Sequence, residues 1–455
     1  MALGLAGIDV GLGPSLLGLL AFVVLLLLPG LLVVRAPWPA VPFLSLAFWV
    51  LSWGWLFGAS REPFLRGALL GFFLLVLLRL LKPLDGRRPG WPTVLVLIAA
   101  ALPLLAFFLW PLCPGAEMSF HSLGARLVVW RDGLPATYEP LAPMRPFGAH
   151  APALPALAAD VSLLSGLPAA KSVLLVHQAA LGLLLIGLFA LLIRRLAAPE
   201  AALAAVLTVA LARVPTAFAT FGDGGPLLAL AFVAAAAAWL GPGGHRSSAV
   251  AAGTFLGASA LAQPALALVA ALALGLRLRP WKDGPARIRL ALGTGVALVL
   301  AAPLLWRLAQ AVSAGEAAAT AAATTVPAVA AVAAALVVPV LVRWCWPPRR
   351  LPACLGLGAL TAVAAWSARE DWLARAGAPQ PGRPDYAAIE RVAARTRPLE
   401  TICIDPTDGA GLWIPALAGR AVSPPWVPLV YRDEAREAPP CVHVFTKGTE
   451  VPERP

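Results

Sequence analysis

The chain has 455 residues, of which 60% are hydrophobic and only 13% are charged, and its mean hydropathy is +0.82. Soluble globular proteins carry about 25% charged residues, so this composition excludes an ordinary soluble enzyme and predicts repeated membrane-spanning helices. The formal net charge is +12, but the Lys and Arg residues cluster at the ends of apolar runs, where the positive-inside bias places them. We therefore do not interpret the positive charge as nucleic-acid binding.

Apolar runs of membrane-spanning length fill most of the chain before residue 369. Together they predict an all-α polytopic membrane protein with about 11 to 13 transmembrane helices. The turns rich in Lys and Arg fall on one side if the spans alternate, and that side is then cytoplasmic. We place the candidate spans at 14–34, 38–58, 64–82, 92–111, 169–193, 198–219, 226–241, 248–262, 264–279, 287–308, 326–343 and 351–367.

The stretch 248–279 is short for two full spans. It is interrupted by Gln263-Pro264, which marks a turn, a proline kink, or a broken or re-entrant helix that exposes its backbone to a cavity. In the last case Gln263 is a candidate substrate-binding residue.

A polar stretch at residues 112–168 interrupts the apolar runs on the side opposite to the basic turns. A loop of this length inside a compact protein is uncommon without a function. We predict that it forms the catalytic or ligand-binding face of a transmembrane domain that covers residues 1–368.

Residues 369–455 contain more charge, proline and glycine, and they predict a small α/β domain on the outer face. Residues 384–397 have the apolar spacing of a helix, and 401–405 and 441–445 are short β-like runs. Cys403 and Cys441 lie on these two runs. They either form a disulfide in an oxidising compartment or are buried as small apolar side chains.

Glu117 and His121 are four residues apart and share one face if residues 116–130 are helical. A carboxylate just outside the bilayer can act as a general base toward a hydroxyl group. His121 or the nearby Arg126 can bind a phosphate. The alternative is a juxtamembrane helix whose charges face water.

Asp160 lies in an apolar stretch that is otherwise poor in charge. It sits either at the membrane surface or against a polar cavity, where ionisable groups are often functional. Lys171 follows at the start of the next span and is a candidate partner for it. We treat both as candidate substrate-binding residues, and the alternative is a helix-capping or interfacial acid.

The sequence FGDGGP at 221–226 places Asp223 among glycines on the same side as Glu117. Glycines permit a turn with exposed backbone N–H groups that can hold an anion, so Asp223 is a further candidate for substrate binding. A plain turn is the simpler interpretation. The glycine spacing does not match a Walker or a dinucleotide-binding loop.

Taken together, these segments resemble the C-superfamily glycosyltransferases, which are multi-spanning enzymes that use polyprenyl-phosphate sugars. The resemblance is to bacterial members with a small outer C-terminal domain. The matching pieces are Glu117 with His121, the Gly-Leu-Pro turn at 133–135, the Pro-rich stretch 140–148 and the apolar segment 151–166. FGDGGPLLALAF resembles a glycine-rich turn that opens a later span, and WIPALAGR resembles a recurring segment of the outer domain.

The resemblance implies a GT-C-like fold in the bacterial inner membrane, with an extracytoplasmic C-terminal domain. It implies transfer of a hexosyl or pentosyl group from a polyprenyl-phosphate donor, which enters sideways from the membrane lipids, to a glycan, lipid or protein acceptor. Glu117 is then the catalytic base, and the acid of this loop often supports a divalent metal ion. The chain departs from many members because it lacks a second acid beside Glu117, and because Gln263-Pro264 replaces a His-Pro pair of some relatives.

Two other functions fit parts of the sequence. A transporter or flippase for a lipid-linked substrate would use broken helices and polar residues inside the membrane, but few charges lie at mid-span and no internal repeat is evident. A non-catalytic assembly subunit would keep the fold without the paired acids, which are absent here.

Overall fold

A computed structural model gives the fold of the chain. It describes residues 10–32, 38–55, 60–80, 90–109, 112, 116–135, 137–138, 141, 152–194, 196–211, 224–240, 246–278, 284–313, 383–398, 400–404, 411–423 and 443–445. Most of these residues are helical, as predicted. Four of the described helices are long and apolar enough to cross a membrane, namely Leu12–Leu31, Trp91–Leu109, Ala169–Leu192 and Gly284–Pro303.

The other predicted spans have three outcomes. Several are apolar helices of 10–17 residues. The span at 64–82 corresponds to a helix of 20 residues, Arg61–Leu80, that is not among these four, and the spans at 326–343 and 351–367 lie outside the described residues. The described helices are α1 (Leu12–Leu31), α2 (Val41–Trp55), α3 (Arg61–Leu80), α4 (Trp91–Ala101), α5 (Leu105–Leu109), α6 (Ala116–Arg131), α7 (Ala153–Ser165), α8 (Ala169–Leu192), α9 (Ala198–Leu211), α10 (Gly224–Trp239), α11 (Arg246–Ala262), α12 (Pro264–Leu278), α13 (Gly284–Ser313), α14 (Arg383–Arg395) and α15 (Ile414–Ala418).

Small residues allow α1 and α2 to approach closely. Gly30 lies against the carbonyl of Val41, and its N–H donates to Ser45 Oγ at 2.8 Å. The indole Nε1 of Trp49 donates to the carbonyl of Leu25 at 2.9 Å. These contacts fix the two helices where the chain turns between them.

Helices α8 and α10 run parallel to each other. Gly224, at the start of α10, lies beside His177, and Gly187 farther along α8 lies beside Ala231 and Ala234. The residue numbers increase in the same direction along both helices, so the chain returns between them. If successive spans alternate in direction, as predicted, two spans separated by one other span must be parallel, and α8 and α10 are.

The chain reverses at Gln263-Pro264. Helices α11 and α13 are parallel, because Gly253 lies against Gly293 and Gly257 lies against Ala297. Helix α12 therefore carries the chain back between them, and of the predicted alternatives the structure has the turn between two short helices. Gln263 N–H donates to Ser259 O at 2.7 Å and so closes the last turn of α11.

Much of the stretch 112–168 is packed into the helix bundle. Helix α6 contacts α7 and α8, and residues 153–162 of α7 are all buried. The segment 153–165, which we predicted as part of a polar loop, is therefore a core helix, because its composition is apolar. Gly166 ends this helix with a positive φ of 72°, which glycine adopts without steric strain.

The C-terminal region contains helix α14 and strands β1 (Thr401–Cys403), β2 (Ala421–Ser423) and β3 (His443–Val444). The helix and the two strand predictions at β1 and β3 are confirmed, and β2 was not predicted. All pairings in the sheet are parallel, in the order β2-β1-β3. The assignment of 369–455 to a separate extracytoplasmic domain stays a prediction.

Cys403 is disulfide-bonded. The other four cysteines of the chain lie outside the described residues, so the pairing with Cys441 stays a prediction. In the register between β1 and β3, the residue opposite Cys403 is Val444.

Candidate functional site

Helix α6 carries the predicted catalytic residue. It begins at Ala116 and confirms the helix that we predicted there, so the backbones of Glu117 and His121 are one helical turn apart. The side chain of Glu117 lies outside the described part of the structure. His121 is partly buried, and its ring lies 6.4 Å from the ring of Phe120.

The first turn of α6 meets three other helices at Gly224. A Cβ atom built on Gly224 would lie 2.5 Å from Leu154 Cδ2, 2.8 Å from His177 Nδ1 and 3.0 Å from Met118 Cε. Asp223 itself is outside the described residues. The contact nevertheless places Met118, the residue after Glu117, close to Gly224, the residue after Asp223.

Arg126 lies nine residues after Glu117, which corresponds to about two and a half helical turns. The two residues therefore lie on opposite faces of α6, and the helix does not bring them together. Arg126 Nη1 donates to the carbonyls of Ala416 at 2.8 Å and Leu417 at 2.7 Å. This predicted phosphate ligand thus holds the last turn of α15 against α6.

A second arginine secures the same region. Arg420 is buried and donates to the carbonyls of Ala418 at 2.9 Å, Ala393 at 3.0 Å and Thr396 at 2.6 Å. It therefore satisfies carbonyl groups at the ends of both α14 and α15. Burial, together with the charge of Arg420, lowers the pKa of Arg126 to about 10, so its guanidinium remains a cation at neutral pH.

Asp160 forms a buried ion pair with Arg61. The two Arg61 nitrogens Nε and Nη2 donate to Asp160 Oδ1 at 2.9 Å and Oδ2 at 2.8 Å, and the side chains are only 1% and 0% exposed. Trp53 Nε1 donates to Asp160 Oδ2 at 3.1 Å. The charge of Asp160 is therefore balanced within the protein.

The pair sits in an aromatic and polar cage that explains its burial. The guanidinium carbon of Arg61 lies 4.2 Å from the ring centroid of Trp53 and 5.0 Å from that of Phe64. Its remaining donors bond Ser52 Oγ at 2.8 Å and Trp49 O at 3.2 Å. Every charged atom of the pair thus has a partner, as a charge away from water requires.

Lys171 is not the partner of Asp160, although the sequence made it a candidate. Its side chain is buried, and its Nζ lies 5.0 Å from the ring centroid of Phe107, a cation–π arrangement. Gln263 is half-buried at the turn between α11 and α12. Neither of them is a hydrogen-bond or ion-pair partner of Asp160, whose partners are Arg61 and Trp53.

The end of α6 is tied to the start of α3 by Asp132, which the sequence did not identify. Asp132 N–H and Gly133 N–H bond Val129 O and Val128 O, a Schellman arrangement that ends α6. The carboxylate of Asp132 accepts hydrogen bonds from the Glu62 N–H at 2.7 Å and from the Ser60 hydroxyl. Asp132 is therefore the cap of a helix that lies far from it in the chain.

Comparison of the chain with models of protein families, with curated proteins and with solved structures finds no match. The resemblance to C-superfamily glycosyltransferases therefore rests on the sequence segments alone.

Among the residues that the structure describes, no three or more His, Cys, Asp or Glu side chains are grouped as metal ligands. The predicted divalent metal would depend on Glu117, whose side chain is outside that set, and it stays a prediction.

Sequence reasoning missed Arg61 and Asp132. Arg61 opens an apolar helix, a position that usually indicates an interfacial charge. The signal for its burial was the spacing of Trp49 and Trp53, four residues apart on α2, which offers two aromatic rings on one face. Nothing local to Asp132 pointed to residue 62.

Proposed function

We propose that this protein is a membrane glycosyltransferase that moves a sugar from a polyprenyl-phosphate donor to an extracytoplasmic acceptor. The proposal combines the resemblance with one structural observation, the convergence of α6, α7, α8 and α10 at Gly224. This convergence supports the proposal because two predicted site segments, around Glu117 and after Asp223, arrive at one end of the bundle.

In the proposed reaction, Glu117 accepts the proton of an acceptor hydroxyl. The acceptor oxygen forms a bond to the anomeric carbon while the bond from that carbon to the phosphate oxygen breaks. Polyprenyl phosphate then leaves with both electrons of the broken bond. Proton transfer of this kind contributes typically about 10²–10⁴-fold to the rate, and positioning of the donor supplies much of the remainder.

His121 is proposed to contact the acceptor or the donor phosphate, since it lies one helical turn from Glu117. Asp160 was a candidate substrate-binding residue, but the proposal gives it a structural role. Its carboxylate is bonded by Arg61 and Trp53, so it acts within the fold and not on the substrate. Asp223, Lys171 and Gln263 are not needed for the proposed chemistry.

The test is donor cleavage by the purified chain in nanodiscs. A panel of polyprenyl-phosphate sugars is supplied together with glycan, lipid and peptide acceptors, with and without a divalent metal ion, and release of polyprenyl phosphate is measured. The wild-type protein should release it, and Glu117→Gln should lose about 10²-fold or more of this rate. Glu200→Gln, at the start of α9, is the matched control and should keep the rate.

Two outcomes would overturn the proposal. If the folded wild-type protein releases nothing from any donor, it is not a transferase of this class, and the transporter and assembly-subunit interpretations gain support. If Glu117→Gln and the wild-type protein turn over equally, Glu117 is not the base.

A further inference from the structure

Among the residues that the structure describes, one nitrogen of the Arg126 guanidinium makes hydrogen bonds. Nη1 donates to the two carbonyls at the end of α15, and Nε and Nη2 make no hydrogen bond to any residue that the structure describes. These two nitrogens form a planar edge that matches two oxygens of a phosphate or carboxylate. The bonds at Nη1 hold this edge in a fixed orientation.

Gly419 allows the guanidinium of Arg126 to keep its position. Gly419 follows α15 and has a φ of 65°. A Cβ atom at this position would lie 2.7 Å from Arg126 Nη2, 3.1 Å from Cζ and 3.5 Å from Nε. Any side chain here would therefore press on the face of the guanidinium at Nη2 and displace it.

A second cation, Arg420, interacts with Arg126. No carboxylate within 4.0 Å forms a salt bridge with Arg126 among the described residues, whereas Arg61 and Arg66 do have such partners. The donors of Arg420 point to carbonyls of α14 and α15, and the carboxylate of Glu400 interacts with Arg420 and not with Arg126. A half-buried cation beside a second cation attracts an anion.

We propose that the Nε–Nη2 edge of Arg126 binds a phosphoryl oxyanion, and that the bound anion fastens the segment 411–423 to α6. The oxyanion would accept two parallel hydrogen bonds from the edge. It would also offset the repulsion between Arg126 and Arg420, which lie on the two sides of the α6–α15 contact. The anion therefore stabilises the docked position of α15.

This site goes beyond the proposed function, because it is separate from the proposed transfer point. Arg126 lies about 13 Å along α6 from Glu117 and on the opposite face. One phosphate cannot contact the edge of Arg126 while its sugar is attacked beside Glu117. The anion is thus a second ligand, from a phospholipid headgroup or from free phosphate.

The experiment measures hydrogen exchange of the backbone amides of 411–423 together with the thermal midpoint of the full chain. Nanodiscs of phosphatidylcholine alone are compared in chloride and in inorganic phosphate at equal ionic strength. Nanodiscs that contain phosphatidylglycerol are then compared in chloride. Protection by free phosphate identifies a soluble ligand, and protection by phosphatidylglycerol alone identifies a lipid headgroup.

Two glycine variants provide the decisive comparison. Gly419→Ala and Gly166→Ala both place a side chain at a positive φ, and a Cβ at Gly166 meets nothing within 4 Å. Both lose stability from backbone strain, but only Gly419→Ala displaces the guanidinium of Arg126. We expect Gly419→Ala to weaken anion binding, read from the protection of 411–423, about tenfold or more. Gly166→Ala should bind the anion as the wild-type protein does.

Two further variants distinguish anion binding at the planar edge from a general effect of positive charge and from the proposed sugar transfer. Arg126→Lys keeps a positive charge but not the planar edge, so it should also lose the response. Glu117→Gln should keep it whether or not sugar transfer is found. The proposal is overturned if neither anion protects 411–423, or if Gly419→Ala and Gly166→Ala respond alike.

Discussion

Arg61 and Asp160 form a two-point ion pair that joins the start of α3 to the middle of α7, across 99 positions of the chain. The pair is nearly inaccessible to water, and Trp53 donates a further hydrogen bond to the carboxylate. Removal of two charges from water is expensive, so the pair is stable only while each member compensates the other.

Neutralisation of Asp160 should therefore be strongly destabilising. Asp160→Asn leaves the Arg61 cation buried without a counter-charge, and we expect a loss of about 3–5 kcal/mol in unfolding free energy. Unfolding in detergent, followed by circular dichroism, measures it. Arg66→Gln, which breaks the exposed pair of Arg66 with Glu62, should change stability by about 1 kcal/mol or less.

The double variant Arg61→Met with Asp160→Leu tests the cause. Because it removes both charges and keeps apolar volume, it should be more stable than Asp160→Asn alone. Equal or lower stability of the double variant would show that packing, and not the unpaired charge, explains the loss.

Asp132 should tolerate only residues that supply both a cap and a positive φ. Its φ is 50°, which is unfavourable by about 1–2 kcal/mol for most residues, and its carboxylate caps α3 through the Glu62 N–H. Asp132→Asn should remain close to wild type. Asp132→Gly should lose the cap alone, about 1 kcal/mol, and Asp132→Ala should lose more because backbone strain is added.

The thermal midpoints of the three Asp132 variants test this order. If the glycine variant were the most stable of the series, backbone strain would outweigh the cap, and the connection between α6 and α3 would contribute little to stability.

Substitution of Gly224 should disturb the convergence of helices that supports the proposed function. In Gly224→Ala, the new methyl group would press on Leu154, His177 and Met118. We expect a loss of about 1–3 kcal/mol from overpacking, with lower donor cleavage because the first turn of α6 shifts. Thermal unfolding and the cleavage assay measure the two effects.

Gly67→Ala is the matched control for Gly224→Ala. Gly67 is in α3, and a Cβ there meets nothing within 4 Å. It should be neutral or stabilising by about 0.5–1 kcal/mol, since alanine is the better helix former. A similar loss in both variants would contradict the overpacking argument.

The seam between α11 and α13 should depend on Gly253. A Cβ on Gly253 would collide with the backbone carbonyl of Gly293, so even alanine forces the two helices apart. We expect Gly253→Ala to lower the thermal midpoint, whereas Gly295→Ala, which has open space in α13, should not. Equal midpoints would mean that the helices separate without a penalty.

The sequence by itself determined that most of the chain is apolar and helical, although it placed the helix at 153–165 in a polar loop. Long apolar runs can be stable in a membrane only when their backbone groups bond within the segment, so composition alone predicts helices. The start of α6, the break at Pro264 and the helix at 383–395 follow from equally local rules, because proline cannot donate a hydrogen bond and amphipathic spacing is local.

Only the tertiary structure decided what the charged residues do. Asp160 was expected at the membrane surface or against a polar cavity, but it pairs with Arg61. Arg126 was expected to bind a phosphate, but it bonds the carbonyls of α15. Asp132 caps a helix that begins 71 positions earlier in sequence numbering. A charge in an apolar environment requires a partner, but its own neighbours in the chain do not say which one. The partner is fixed by the packing of helices that are distant in sequence, and this packing depends on contacts across the whole bundle.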